Sequence, residues 1–517
     1  MRFDVKRLAG VAAAACLLVV GCGGGGSSSS SGSVSQQVRT AAHNQGLKGS
    51  PTLKQPALTP QQQEIVALRV ELGRNLFFDH AMSGVQQTSC GTCHHAAFQF
   101  SDARNIARGV FCDLNAAHTQ ITCHDAPTPG QDGNVAGPDR KSPLNSRNSP
   151  LLLNNALFPK LMWNGRFRFI DEHSTDVNQC DASLGFQFPA PEKRLNVRSL
   201  LTAQAHIPVT EAVEMTGDFP HPGQPFEDAD ERNPEVRDGI AVRISDMPGY
   251  RPLFEEAYAP GTQIFAGDPQ IRQGDDIPYL AIADAAGHFM ETLIFTDAPW
   301  DHFLKGDDNA ISDAAKRGAL TFLTTGKCST CHAGDLFSDF DNYNIGVPQV
   351  GPGTAQFDLS DPAYGGLQTW DFGLEEINGD SNDRFKFRTP PLRGVALSSP
   401  YMHNGAITTL EDAIRLHTDP AAAYANYDIT QIEADMQAAD GLKPMGPVFD
   451  RRNPVVLGHD TGQTRIDLTD AQVTDLVEFL KSLTDPHMLD TASLAPDHVP
   501  SGLPVDVPGP RRFPLYE

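Results

Sequence analysis

The sequence predicts a mostly α-helical chain built as two consecutive domains, with long irregular loops and insertions between the helices. Three observations predict it. At 517 residues the chain exceeds one ordinary domain and suits two. One five-residue pattern occurs twice, as Cys90-Gly-Thr-Cys93-His94 and as Cys328-Ser-Thr-Cys331-His332. Apolar residues recur at helical spacing around both copies, while 45 Gly and 39 Pro imply much loop.

A Cys-x-x-Cys-His run is the attachment signature of c-type haem. The two thiols add across the haem vinyl groups, and the adjacent imidazole becomes the proximal iron ligand. A zinc site would need four N or S ligands closing a tetrahedron. A redox dithiol has no use for the trailing His. Two covalent c-type haems are therefore expected, one on Cys90, Cys93 and His94, the other on Cys328, Cys331 and His332.

The composition, 40% hydrophobic and 20% charged, suits a globular protein. A formal charge of −24 excludes nucleic acid as a partner and suits a small exported redox protein with a basic face. At the N-terminus, Arg2, Lys6 and Arg7 precede an apolar run from Leu8 to Val20 that is too short to span a bilayer. Val19-Val20-Gly21-Cys22 resembles a bacterial lipobox. Residues 1–21 are thus expected to be a lipoprotein signal peptide, with lipid on Cys22; an ordinary secretory signal with an incidental Cys is the alternative. The expected location is the periplasmic side of a bacterial membrane, held there by the N-terminal lipid anchor alone. Of nine cysteines, Cys16 leaves with the signal, Cys22 is lipidated and four bind haem. Cys112 and Cys123 lie close in one loop of an exported chain and are expected to pair, which leaves Cys180 odd.

Residues 22–59 open with a Gly/Ser run and read as a flexible tether. The first domain is expected over 60–305. It begins with a helix over 61–78, carrying Ile65, Leu68, Leu72 and Leu76 at helical spacing. Residues 105–146 form a polar insertion holding Cys112 and Cys123, and 216–239 an acidic, Pro-rich excursion. A helix over 277–295 presents Ala281, Ala285, Phe289 and Leu293 on one face. The second domain is expected over 306–490. Ser312 caps a helix that runs to Leu323, and Gly326 stops it just before the second motif. A long loop covers 334–383, and a short helix 409–417. Thr469 caps an amphipathic helix with Val473, Leu476, Val477, Leu480 and Leu483 inward. The tail, 491–517, reads as extended over the surface.

Beyond the haem motifs, several runs resemble the bacterial di-haem cytochrome c peroxidases and their MauG-type relatives. They are Leu72-Gly-Arg-Asn-Leu-Phe-Phe-Asp79, Arg147-Asn148-Ser-Pro150, Trp163-Asn-Gly-Arg166, Pro208 with Val213-Glu214-Met215, Arg317-Gly318, and Pro400-Tyr-Met-His-Asn-Gly405. They occur in family order over about residues 60–485. The resemblance implies two cytochrome c-like haem domains, the N-terminal haem being the peroxide site with His94 proximal. It implies that Glu214 stands over the open face of that haem, that Gln204 lines the same pocket, and that Trp163 lies between the haems. It also implies an inter-haem calcium held by the Asn148 side chain and the carbonyls of Ser398 and Pro400. These roles make chemical sense. One carboxylate can carry a proton between the two oxygens of a peroxide, an indole offers an electron a stepping point, and oxygen donors at a domain seam suit calcium.

Two departures from the family pattern matter. The peroxidases carry a removable His ligand after the first haem motif, where this chain reads Ile106-Ala-Arg-Gly-Val110. His118 and His124 lie in the insertion as alternatives, but an open iron is expected. At the second haem the family's sixth ligand falls fourteen residues after the His of the Tyr-x-His motif, Met in the peroxidases and Tyr in MauG. From His403 that count reaches His417. Met402 is the competing thioether, in a position the family fills with an aromatic. His95 reads as a surface neighbour and His403 as a residue near a haem propionate. His288, His302, His459 and His487 show no partner spacing.

The expected activity is reduction of hydrogen peroxide at the N-terminal haem. Electrons would arrive through the C-terminal haem from a small exported cytochrome c or cupredoxin. The alternatives are MauG-like oxidation of a partner protein's side chains and plain electron transfer. A bis-His haem has a lower potential than a His/Met haem, which favours the MauG-like alternative.

Overall fold

The computed structural model describes residues 32–53, 57–114, 121–124, 135–136, 144–169, 180–181, 199–220, 229–265, 267–353, 370–440, 442–443, 465–509, 511 and 513. The expected signal peptide, Cys22, His118 and His459 lie outside them. Among the described residues helices dominate, and the strands are two- or three-residue pieces in small sheets.

Two helix crossings organise the chain, one beside each haem motif. The helix Pro60–Phe77 is capped by Thr59, which accepts from Gln62 N, and has Pro at its first position. It crosses the helix Tyr279–Met290 at Gly73, where an added Cβ would come within 1.8 Å of the Ala285 carbonyl. The helix Asp313–Leu323, capped by Ser312, crosses Asp470–Lys481, capped by Thr469. There a Cβ on Gly318 would lie 1.9 Å from the Asp475 carbonyl. Only glycine lets backbones approach so closely. Leu68, expected to face inward, is exposed; Arg69 is buried instead, 2.7 Å from Asp268.

Among the described residues, three large apolar cores follow. One packs Leu72, Leu76, Val236, Ile240, Tyr250, Phe254 and Tyr258. It draws on the helix Ala229–Asp246, so the excursion expected over 216–239 is in its second half helical. Another surrounds the first haem motif with Phe77, Phe78, Phe100 and Phe289. The last joins Trp300, Phe303, Phe322, Phe337 and Phe479. Because Trp300 and Phe303 belong to the core of the second motif, that core starts before the expected boundary near 305.

Two further expectations need correction. Part of the tether expected over 22–59 is ordered: Val34–Asn44 is a helix capped by Ser33, and its Val38 and Ala42 are buried in the same core as Trp300. Its few apolar residues give little intrinsic signal, and packing stabilises it. Nor does the tail simply lie over the surface. Pro486–Leu494 is a 3₁₀ segment, Val507–Pro508 pairs in parallel with Val135–Ala136, and Asp506 is buried beneath the first haem motif.

Buried hydrogen bonds cross between the two halves. Asn105 Nδ2 donates to Gly405 O at 2.7 Å, Glu433 N donates to Asn105 Oδ1 at 3.1 Å, and Arg104 Nε donates to Glu433 at 3.0 Å. Asn148 N donates to His403 O and Arg388 N to Trp163 O, both at 2.7 Å. No helix among the described residues is long and apolar enough to cross a membrane.

Candidate active site

The first motif forms a single helical turn, Cys90–Cys93, held from below by the tail. Thr92 Oγ1 donates to Asp506 Oδ2, and the same carboxylate lies 3.1 Å from His80 Nε2. His95, expected at the surface, is buried. Its Nε2–H donates to Asp506 O at 3.2 Å, and its Nδ1 accepts from Ala97 N at 3.1 Å. His94 Nδ1–H donates to Phe100 O at 3.0 Å, a tautomer in which Nε2 carries the ring's lone pair and could bind a metal. Burial pushes His94 down to about 4, so it is a neutral donor at ordinary pH. Cys93 Sγ–H donates to Arg108 O at 3.4 Å. Among the described residues the four motif cysteines form no disulfide, while Cys112 and Cys123 form the expected one.

The second motif has the same design. His332 Nδ1–H donates to Phe337 O at 3.0 Å, and His417 Nδ1–H donates to Ala413 O at 2.7 Å. The two rings face each other with centroids 6.0 Å apart and planes inclined at 58°. Two imidazoles binding one metal ion from opposite sides, each at about 2 Å, place their centroids roughly 6 Å apart. Burial, and then the neighbouring His417, lower His332 to about 4; burial also lowers His417. Cys328, Cys331, His332 and His417 line a cavity of about 260 Å³ that also touches Trp163, Gln204, Asn148, Ser398 and Pro400. The donor set fits an iron porphyrin: two facing neutral imidazoles and two thiols on a largely apolar wall. Met402 also lines the cavity.

Glu214 sits on the π-helical turn Ala212–Thr216. Three contacts fix the backbone of that turn: Val110 N to Val213 O at 3.0 Å, Thr88 Oγ1 to Glu214 O at 3.2 Å, and Gly84 N to Met215 O at 2.9 Å. Burial pushes the Glu214 carboxyl up to about 7, helped by the charge of Glu211 and opposed by Arg166 and Arg147. Glu211 is raised by burial too, and burial lowers Arg166 to about 10. Such an arrangement can accept and return a proton near neutrality. Gln204 ends the helix Leu200–Gln204; its Nε2 donates to Met162 Sδ at 3.5 Å, and its Oε1 is buried with no hydrogen-bond partner among the described residues. Gln204 lines the cavity of His332 and His417, whereas the resemblance placed it in the pocket of the N-terminal haem.

Trp163 is half-buried, and its Nε1–H donates to Asn148 O at 2.9 Å. Asn148 Nδ2 donates to Arg104 O at 2.8 Å. In place of the family's removable His, Ile106 is fully buried and Arg108 is paired with Glu433 and Asp435. His124 is exposed, and its backbone N–H donates to Phe111 O. His403 is buried and stacked on Phe387 at 3.6 Å, with Nε2 4.0 Å from Asp371. His288 does have a partner, Asp284, 3.5 Å away and one helical turn earlier. His302 and His487 also pair, with Asp297 and Asp485.

Sequence reading missed Glu211 and Asp506. The Glu211-x-x-Glu214 spacing was a usable signal for the first. Nothing local marks Asp506, whose partners lie some four hundred residues earlier.

The family model for di-haem cytochrome c peroxidase matches residues 67–309. The chain is 27% identical over 355 residues to the cytochrome-c peroxidase IdrP2 of Denitromonas iodatirespirans, covering 67% of this chain and 72% of the relative. It is 25% identical over 406 residues to the methylamine utilization protein MauG of Methylophilus methylotrophus, covering 75% and 88%. It is 24% identical over 384 residues to the cytochrome c551 peroxidase of Pseudomonas aeruginosa, covering 74% and 81%. In fold it is similar to a MauG-like protein associated with microbial copper homeostasis, with a TM-score of 0.50 and 20% identity over 85% of this chain and 95% of that one. Over residues 67–309 the chain thus matches the di-haem cytochrome c peroxidase family, and it is similar to oxidoreductases named cytochrome c peroxidase and MauG, a similarity that implies two c-type haems.

Proposed function

We propose that the protein reduces hydrogen peroxide at its N-terminal haem, with electrons relayed through the C-terminal haem past Trp163. The carrying observation is Glu214, a carboxyl raised to about 7 on a backbone-pinned turn. Bound haem supplies the iron that binds peroxide and the electrons that cleave its O–O bond. Ionised Glu214 takes a proton from one peroxide oxygen and delivers it to the other, which departs as water. Glu211 and Arg166 set the proton affinity of Glu214. His94 and His332 serve as proximal imidazoles, each held by a backbone carbonyl, with His417 opposite His332. Asn148, Ser398 and Pro400 are the proposed calcium ligands, on the observation that all three line the cavity beside Trp163.

A MauG-like reading, in which a partner protein is oxidised, is favoured by one observation. The facing His332 and His417 rings suit a bis-imidazole haem, which is a poor acceptor from a high-potential donor. The Cys112–Cys123 disulfide supports export, and with it the reading of residues 1–21 as a lipoprotein signal peptide with lipid on Cys22.

Stopped-flow mixing of peroxide with the two-haem protein and with its Glu214→Gln variant tests the proposal. The variant should keep both haems and react roughly 10²–10⁴-fold more slowly. An unchanged rate removes Glu214 from the mechanism, and no peroxide reaction in the native protein leaves plain electron transfer.

A further inference from the structure

We infer that the Cys112–Cys123 disulfide is a positioning device for Glu214, so that the inserted hairpin acts on peroxide chemistry by holding the turn that carries the carboxylate. The inference rests on the reading of Glu214 as proton carrier.

Cys112–Leu114 and Ile121–Cys123 form an antiparallel pair in which Cys112 stands opposite Cys123 and is bridged to it. The base of this hairpin grips the Glu214 turn from both ends. On the near side, Val110 N donates to Val213 O at 3.0 Å. A Cβ on Gly109 would fall 1.9 Å from that carbonyl and 2.8 Å from Glu214 Cα, so the two backbones touch. On the far side, Asp218 N donates to Cys123 Sγ at 3.2 Å, and Cys123 N donates to Asp218 Oδ2 at 3.3 Å. A Cβ on Gly217 would lie 2.6 Å from Cys123 Sγ. Val85, Val110, Cys112, Cys123 and Ala212 close over the bridge as a small apolar cluster.

The segment leading into the Cys112 strand thus holds the turn just before Glu214, and the strand carrying Cys123 holds it just after. The bridge fixes the distance between the two grips. A two-stranded hairpin is marginal in water on its own, so without the bridge the grips move independently. The bonds from Thr88 and Gly84 to the turn do not involve the hairpin, so the turn survives but loses its exact setting. The charges that act on the Glu214 carboxyl are those of Glu211, Arg166 and Arg147, and a shift of the turn changes its distance from all three. Displacement by about an ångström at a reacting group costs up to roughly 10²-fold in rate.

The test is the peroxide reaction of the two-haem protein across pH 5–9 in four forms: native, Glu214→Gln, Cys112→Ala/Cys123→Ala, and all three changes together. The disulfide-free chain should retain both haems, react roughly 10–10²-fold more slowly, and show its pH inflection displaced to the acid side as water reaches the carboxyl. Adding Glu214→Gln to that chain should cost less than it costs in the native one, because both changes act through one group. Native rate and inflection in the disulfide-free chain overturn the inference while leaving Glu214 in place, and so do losses that simply multiply. If Glu214→Gln alone has no effect, the proton-carrier reading fails and the inference falls with it. Should the double Cys variant lose haem, Asp218→Ala decides the matter with the bridge intact. It removes the acceptor of Cys123 N, an acid displacement of the inflection is expected, and an unchanged profile overturns the inference.

Discussion

The His332 and His417 imidazoles face each other across 6.0 Å, and each is held by a carbonyl on its Nδ1 side. A metal ion between them would meet two neutral Nε2 donors with their orientation already set. His417→Ala should therefore open the C-terminal haem and replace a low-spin bis-imidazole EPR signal with a high-spin one. Met402→Leu should leave that spectrum nearly unchanged. A far-red thioether band in the native ferric protein, lost on changing Met402, would assign the sixth ligand to Met402 instead.

At the N-terminal haem the resting ferric protein should show a high-spin signal. The 106–110 segment supplies no His, and Ile106 and Arg108 are fixed in buried contacts with the C-terminal half. Peroxide should react before any reduction, because no ligand has to leave. A wholly low-spin ferric spectrum would contradict this.

The pH dependence follows from Glu214. With its carboxyl raised to about 7, it is protonated below that pH and ionised above. As the proton acceptor it works ionised, so the second-order rate with peroxide should rise with pH through about 7. In Glu214→Gln that inflection should vanish along with most of the rate. A native profile flat from pH 5 to 9 would show that another group accepts the proton.

Asp102 offers a test of stability. It is buried, its Oδ2 has no hydrogen-bond partner among the described residues, and burial raises it to about 7 against the pull of Arg104. A carboxyl raised in the folded state contributes its stability below the unfolded value, and that contribution is lost as pH rises towards the folded one. Asp102→Asn should therefore raise the melting temperature at pH 8 and change it little at pH 4. Equal shifts at both pH values would exclude titration of Asp102 as the cause.

Some of this protein was legible residue by residue. Both Cys-x-x-Cys-His motifs, the caps Ser312 and Thr469, and the Cys112–Cys123 pair are matters of near neighbours, and chemistry between near neighbours is written in spacing. The helix Ala229–Asp246 was readable too, from Val236, Ile240 and Ile244 at four-residue intervals, but its acidic and Pro-containing start obscured it. The helix Val34–Asn44 was not, because a short polar helix is stabilised by the core it packs on rather than by its own propensity.

What only the tertiary structure decided is the set of distances between residues far apart in the chain. The count from His403 could nominate His417, but only folding turns its ring towards His332. Glu214 looked like any solvated carboxylate until Glu211, Arg166 and Arg147 gathered round it, because a proton affinity belongs to an environment and not to a residue. His95 looked like a surface neighbour until Asp506 returned beneath the first motif to meet it, along with Thr92 and His80. The sequence by itself determined which atoms can bind haem. The packing of distant segments decided which of them face one another and at what proton affinity, because electrostatics and coordination act through space, where separation along the chain has no bearing.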